Sequence, residues 1–157
     1  MARLIAIFAL FATALIAEQG YSGPIPSKTD TPYLVHADRL VETEAQTARQ
    51  RAGKAQVSYL IAGDKSGVRT PLASPTLVIE TAGMDVRKLQ LFRLEVKNGV
   101  REVTFFSNSR AGAVPLRTEI TEISDGLYRI AVVDSLPAGE YGLSPDGTND
   151  VFCFEVF

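Results

Sequence analysis

Tryptophan is absent from this chain, cysteine and histidine occur once each as Cys153 and His36, and methionine occurs twice. A single cysteine excludes a disulfide framework within the chain, and one cysteine with one histidine gives no zinc-ligand spacing. Without tryptophan, and with five tyrosines, there is no evident aromatic platform for stacking sugars. Basic residues are not in excess, since 16 Lys and Arg stand against 18 Asp and Glu for a net charge of −2. A chain of that balance has no surplus of cations to neutralise phosphates, so nucleic acid is not expected as a partner. No P-loop or dinucleotide fingerprint occurs, and GYSG at residues 20–23 is not the G-x-S-x-G of a nucleophile elbow. The carboxylate pairs Glu42/Glu44 and Glu119/Glu122 read as solvated faces rather than as acid–base couples.

Long apolar stretches are equally scarce. The one uncharged run, residues 4–17 after Arg3, is short for a membrane span and suits the apolar core of a secretory signal. Ala12-Thr13-Ala14 and Ala17 supply small residues for cleavage. The expected organisation is a signal peptide over 1–17, a flexible leader over 18–31 and one β domain over 32–157. Export to the periplasm or the secreted space follows as an expectation, with no stable membrane span once the signal is removed. A hydrophobic fraction of 46% is enough for a folded core in a chain of this size.

Strand signals dominate what remains. Asn98-Gly99 is the pair that a two-residue type I′ hairpin turn prefers, because both positions need positive φ. Setting Lys97 opposite Val100 puts Val96, Leu94 and Phe92 opposite Arg101, Val103 and Phe105 on one nearly apolar face. The other face pairs Glu95 with Glu102 and Arg93 with Thr104, with Arg93 and Lys97 near enough to relieve the like charges. A second hairpin is expected around Ser124-Asp125-Gly126, and a third pairs residues 140–143 with 151–157 across SPDGTND. VSYLIA (57–62), TLVIET (76–81) and residues 33–36 are further strands. About seven strands with turns between them imply a mainly β fold, an antiparallel immunoglobulin-like β-sandwich. Residues 38–56 carry two periods at once. Val41, Ala45, Ala48, Ala52 and Ala55 form a helical stripe, while Val41, Thr43, Ala45 and Thr47 alternate with Glu42, Glu44 and Gln46 as in a strand. One short helix near 38–55 and an edge hairpin are both compatible with that pattern.

LPAGEY, residues 136–141, resembles the approach to the penultimate strand of immunoglobulin-like and fibronectin-like sandwiches, which implies a tyrosine corner at Tyr141. Leu136, Gly139, Tyr141, Ser144, Asp146, Gly147, Phe154 and Val156 also stand in an order that resembles the end of periplasmic copper-resistance proteins of the CopC type. That resemblance implies copper ligation by histidines. This chain has Thr148 where the family has one of them, and it has none near Glu18 where the family has another. Over its whole length the chain is similar to short exported bacterial single-domain proteins ending in a GEY-x-LSP-x-G-x-N-x-VFCF-x-V stretch, a likeness that brings no activity with it.

Cys153 is a nucleophile, an intermolecular disulfide partner or a packed thiol. Phe152, Phe154 and Val156 share one strand face, and Cys153 shares the other with Val151 and Glu155. A neighbouring carboxylate disfavours a thiolate, so half-buried packing is the expectation. A catalytic reading would need His36 as its base. Candidate metal-ligating side chains are Asp146, Asn149 and Asp150 of the SPDGTND loop together with His36, although Asp-Gly and Asn-Asp are also ordinary turn chemistry. No cofactor is expected. The functional expectation is a non-catalytic exported module that binds an envelope or secreted protein or serves a structural role. Its alternative is a periplasmic protein that binds a small ligand or metal.

Overall fold

A computed structural model describes residues 21–107 and 112–157; the stretch read as a signal peptide lies outside the described residues. The chain is mainly β, built from antiparallel sheets in a sandwich-like arrangement, with one 3₁₀ turn at Val86–Lys88 and no α-helix among the described residues. Early strands are β1 (Tyr33–His36), β2 (Arg39–Glu42), β3 (Glu44–Thr47), β4 (Arg49–Ala52) and β5 (Gln56–Ala62). After them come β6 (Arg69–Thr70), β7 (Thr76–Glu80), β8 (Leu89–Lys97) and β9 (Val100–Phe106). The last four are β10 (Thr118–Ser124), β11 (Leu127–Val132), β12 (Gly139–Pro145) and β13 (Asp150–Val156). Among the described residues there are thirteen strands against the expectation of about seven, and three of the additional ones are short pieces of 39–52.

The first sheet has the order β10-β11-β7-β1-β2 and the second the order β3-β13-β12-β8-β9-β5-β4, with β6 parallel to the end of β13. The two outermost strands of the second sheet, β3 and β4, are consecutive in the chain, separated only by Ala48. One chain segment therefore pairs with β13 through its first half and with β5 through its second, and the ladder curls round on itself. Such closure removes the free edges that a flat sheet leaves unpaired.

The helical alternative at 38–55 fails for a tertiary reason. At Thr43 the chain leaves the first sheet for the second, with the backbone N and Oγ1 of Thr43 both donating to the Pro32 carbonyl at 3.2 and 2.7 Å. Strands that switch sheets make the corners of a sandwich. The stripe read as one helical face is consequently shared between two cores: Val41 packs on the first, Ala48 lies in the second, and Ala52 and Ala55 are exposed.

The first core lies between the sheets, with Leu34, Leu77, Ile79 and Ile130 from one and Leu91, Leu143, Phe152 and Phe154 from the other. The second lies inside the curl of the larger sheet and contains Ile61, Phe92, Leu94, Val103, Val151 and Cys153. Because side chains alternate along a strand, β8, β12 and β13 serve both cores, one on each face. Gly142 makes the curl possible on β12. A Cβ there would sit 2.7 Å from Val151 Cγ1 and 3.3 Å from Leu94 Cδ1, so a side chain would force the inner faces apart.

The hairpins hold with one amendment. Asn98 and Gly99 take φ of 52° and 76°, and Glu95, Val96 and Lys97 pair with Glu102, Arg101 and Val100 as read from the sequence. Beyond those three pairs β8 and β9 diverge, and the segment from 112 onward enters between them, with Ala113 N donating to Thr104 O and Leu116 N to Leu91 O. The face expected to be solvated is partly covered as a result. Glu102 is buried between Arg51 at 3.1 Å and Lys97 at 3.2 Å, and Arg93 turns away to the Ala138 carbonyl. At the other end of the chain, residues of the expected leader dock on the first sheet. Thr29 bridges Glu80, and Asp30 Oδ1 accepts the backbone N–H groups of Ala82, Gly83 and Met84.

Tyr141 forms the expected corner, its hydroxyl donating to the Pro137 carbonyl at 2.6 Å from a fully buried ring stacked on Phe154. Tyr141→Phe leaves that carbonyl without its donor and keeps the ring packing, so a loss of about 1–2 kcal/mol is expected. Urea unfolding measures it; an unchanged midpoint would remove the corner from the account of stability.

Candidate functional site

The interior of the curled sheet has a closed end and an open end, and strand period assigns residues to each. On β9 the inward side chains run Arg101, Val103, Phe105, and on β5 they run Ile61, Tyr59, Val57, paired in that order. β8 contributes Leu94, Phe92 and Gln90, and β12 contributes Glu140, Gly142 and Ser144. Glu44 of β3 lies opposite Cys153 of β13. Charged groups therefore gather at one end, apolar ones in the middle, and polar uncharged ones at the other.

The closed end is an ion cluster centred on Arg101, which has no exposed surface. Its guanidinium forms a two-pronged pair with Glu44, Nη1 to Oε2 at 2.9 Å and Nη2 to Oε1 at 3.0 Å. It also donates to the Ala62 and Gly63 carbonyls at 2.8 and 3.2 Å. Glu140 Oε2 lies 3.6 Å from Nη1 and accepts the Ser66 N–H at 2.9 Å. Gly63 reaches this position with φ of 81°, a backbone conformation that glycine adopts without strain. Burial works against the Glu44 carboxylate, but hydrogen bonds from Arg101, Ser66 and Gln46 outweigh it and hold its pKa down to about 2. Burial pushes Glu140 up, against the Ser66 N–H and the Arg101 charge. The two carboxylates thus differ in proton affinity although they flank the same cation.

Two expectations change here. Arg101 was read onto an apolar face and is the ion-paired cation of that face, because its partners arrive from distant strands. Glu44 was read as solvated and is its principal partner. Sequence reasoning missed Glu140 entirely, since the corner motif around Tyr141 accounted for the segment without it. A single charged residue interrupting an apolar face, as Arg101 does among Val96, Leu94 and Val103, was the signal that could have found the cluster.

Cys153 lies beside that cluster, fully buried rather than half-buried, and is a free thiol. Burial pushes it up to about 12, with Glu44 and Glu140 adding to the rise and Arg101 opposing it. His36 belongs to the first sheet, where it pairs with Arg39 across the β1–β2 turn, so the structure does not bring it to Cys153. The Nε2 of His36 is buried without a hydrogen-bond partner. Asp146 and Asn149 are exposed in the β12–β13 turn and Asp150 is exposed at the start of β13, in the other sheet from His36. Among the described residues no three His, Cys, Asp or Glu side chains group together in a way that could hold a metal ion.

At the open end the curl encloses a pocket of about 370 Å³. Its walls include Phe92, Phe105 and Tyr59, whose rings meet edge-to-face at centroid distances of 5.4 and 5.9 Å. Leu94, Val103 and Val151 also line it and are buried. Gln90, Ser144 and the 146–149 turn form the rim, so Asp146 and Asn149 are brought to the pocket rather than to His36. Apolar walls with a few convergent polar groups are what small-molecule sites have in common.

Fold and site define a β-sandwich whose larger sheet curls around an apolar pocket with an ion-paired floor. Comparison with protein-family models, with curated proteins and with solved structures returns no match. No helix among the described residues is long and apolar enough to cross a membrane.

The Arg101–Glu44 pair makes stability depend on acid in a defined sense. A carboxyl lowered from 4.5 to about 2 supports the fold fully above pH 4.5, and the support is lost as pH falls through about 2. The contribution is about 3 kcal/mol. Glu140, raised by burial, contributes with the opposite sign, and its share fades as pH rises through its folded value. Urea midpoints measured from pH 6 to pH 2 are expected to fall steeply in the wild type and to flatten in Glu44→Gln. Equal slopes in the two would remove this pair from the acid response. Separately, Cys153 is expected to resist iodoacetamide in the native protein at about pH 8 and to react once urea exposes it. Fast labelling of the folded protein would show that the thiol is open to solvent.

Proposed function

We propose that this protein is a non-catalytic binding module, exported from the cell, and that the pocket inside its larger sheet seats a small apolar ligand. The observation that carries this reading is the pocket itself, about 370 Å³ of space walled by three aromatic rings inside the curl of the larger sheet. Folding alone would favour larger side chains that fill such a space, because apolar groups facing it gain little burial. The floor supports the reading as well. The Arg101 cluster ties β3, β9, β12 and the Ala62–Gly63 turn together, so the walls are preorganised and a ligand need not order them on binding. Export rests on the uncharged stretch at residues 4–17.

Thermal melting with and without two-ring aromatic compounds tests the proposal. A compound present at about 100 times its Kd stabilises by about 2.7 kcal/mol, a rise of roughly 5–10 °C in Tm for a domain of this size. Val57, half-buried at the mouth, offers a control: Val57→Trp is expected to fold normally and to abolish the rise by obstructing the pocket. A Tm unmoved by every such compound, or moved equally in Val57→Trp, would defeat the reading.

A further inference from the structure

We infer that the pocket selects ligand charge, taking a neutral or cationic two-ring aromatic compound and disfavouring the same ring system bearing a carboxylate; this rests on the reading of the pocket as a ligand seat. Size comes first. A cavity of about 150 Å³ holds one benzene ring, so about 370 Å³ accommodates roughly two rings. Shape agrees with size. Phe92 and Tyr59 both meet Phe105 edge-on, with interplanar angles of 88° and 82°, which leaves ring edges and faces for a further aromatic ring to pack against in the same offset manner.

Charge comes from the rim. Among the described lining residues Asp146 is the one acidic side chain and no Lys, Arg or His stands beside it, and its companions Gln90, Ser144, Thr148 and Asn149 are polar and uncharged. Nearby cations are turned elsewhere. Lys88, whose carbonyl accepts the Asp146 N–H, directs its ammonium to Asp85 at 3.9 Å. Arg51, which alternates with the inward Gln50 on β4, pairs with Glu102 on the outer face. At the buried floor Arg101 is held by Glu44 in a two-pronged pair, with Glu140 beside it, and has no exposed surface to offer an anion. A carboxylate entering the pocket therefore meets a like charge at the mouth and no free cation among the described lining residues. An ammonium meets Asp146 and the faces of aromatic rings, which attract cations.

Isothermal titration of the whole folded domain with three compounds sharing one ring system tests this: 2-naphthylmethylammonium, 2-naphthol and 2-naphthoate at low salt and neutral pH. The cation and the neutral compound are expected to bind at least 5-fold more tightly than the anion, a ratio of the size that a half-screened charge contact supports. Asp146→Asn, a change on the exposed turn, is expected to narrow the cation–anion ratio severalfold. Equal affinities, a preference for 2-naphthoate, or a ratio untouched by Asp146→Asn would overturn the charge selection while leaving the ligand seat in place. Binding of none of the three would overturn the seat and the selection together.

Discussion

The guanidinium of Arg101 sits where charge is hardest to place, inside a closed sheet with no exposed surface, and the surrounding structure is arranged to make that possible. Removing an ion of this kind from water costs several kcal/mol, and only dense hydrogen bonding offsets the loss. Four hydrogen bonds donated by the guanidinium do so here, two to the Glu44 carboxylate and two to the carbonyls of Ala62 and Gly63 at the end of β5, with a second carboxylate alongside. Those partners come from segments far apart in sequence, so satisfying one side chain fixes the relative positions of β3, β5, β9 and β12. Replacing one partner alone would strand the rest of the cluster, which is why such a group resists piecemeal change.

Closure of the larger sheet depends on the same positions. Glu44 is the first residue after the Thr43 corner, and the segment it begins carries the ladder from β13 across to β5. The ion pair and the corner therefore act on one short stretch of chain, the former drawing it inward and the latter holding it to the first sheet. Gly142 completes the geometry by having no side chain where the walls approach closely. A pocket then survives at the far end because the inward residues there are rings that stand edge to face rather than interdigitate.

Placing charge at one end of the curl and apolar surface at the other separates the parts of the molecule that need rigidity from those that meet solvent. Burial beside the cluster keeps the Cys153 proton on against the pull of Arg101, so the thiol acts as a packed core group. The mouth is formed by the β12–β13 turn, whose Asp-Gly pair is ordinary hairpin chemistry and whose side chains nonetheless reach the pocket. A turn that shapes a binding rim needs no residue beyond those the hairpin already requires.

Alternation, turn residues and the tyrosine corner are local, and each was legible from a few neighbouring residues: Asn98-Gly99 set the register of its hairpin, and Tyr141 found the Pro137 carbonyl four residues away. The same local logic failed at 38–56, where helix and strand periods coexist, because the deciding event is a change of sheet at Thr43 that no local pattern encodes. It failed again at Arg101 and Glu44, 57 residues apart, whose pairing exists only once the sheet has closed. What the sequence determined alone was a chain of short antiparallel strands, some with one apolar face and some, such as β13, apolar on both. Which apolar face met the opposite sheet and which turned inward to enclose a pocket was decided by tertiary structure, since a strand buried on both faces carries no mark of which neighbour will cover either one.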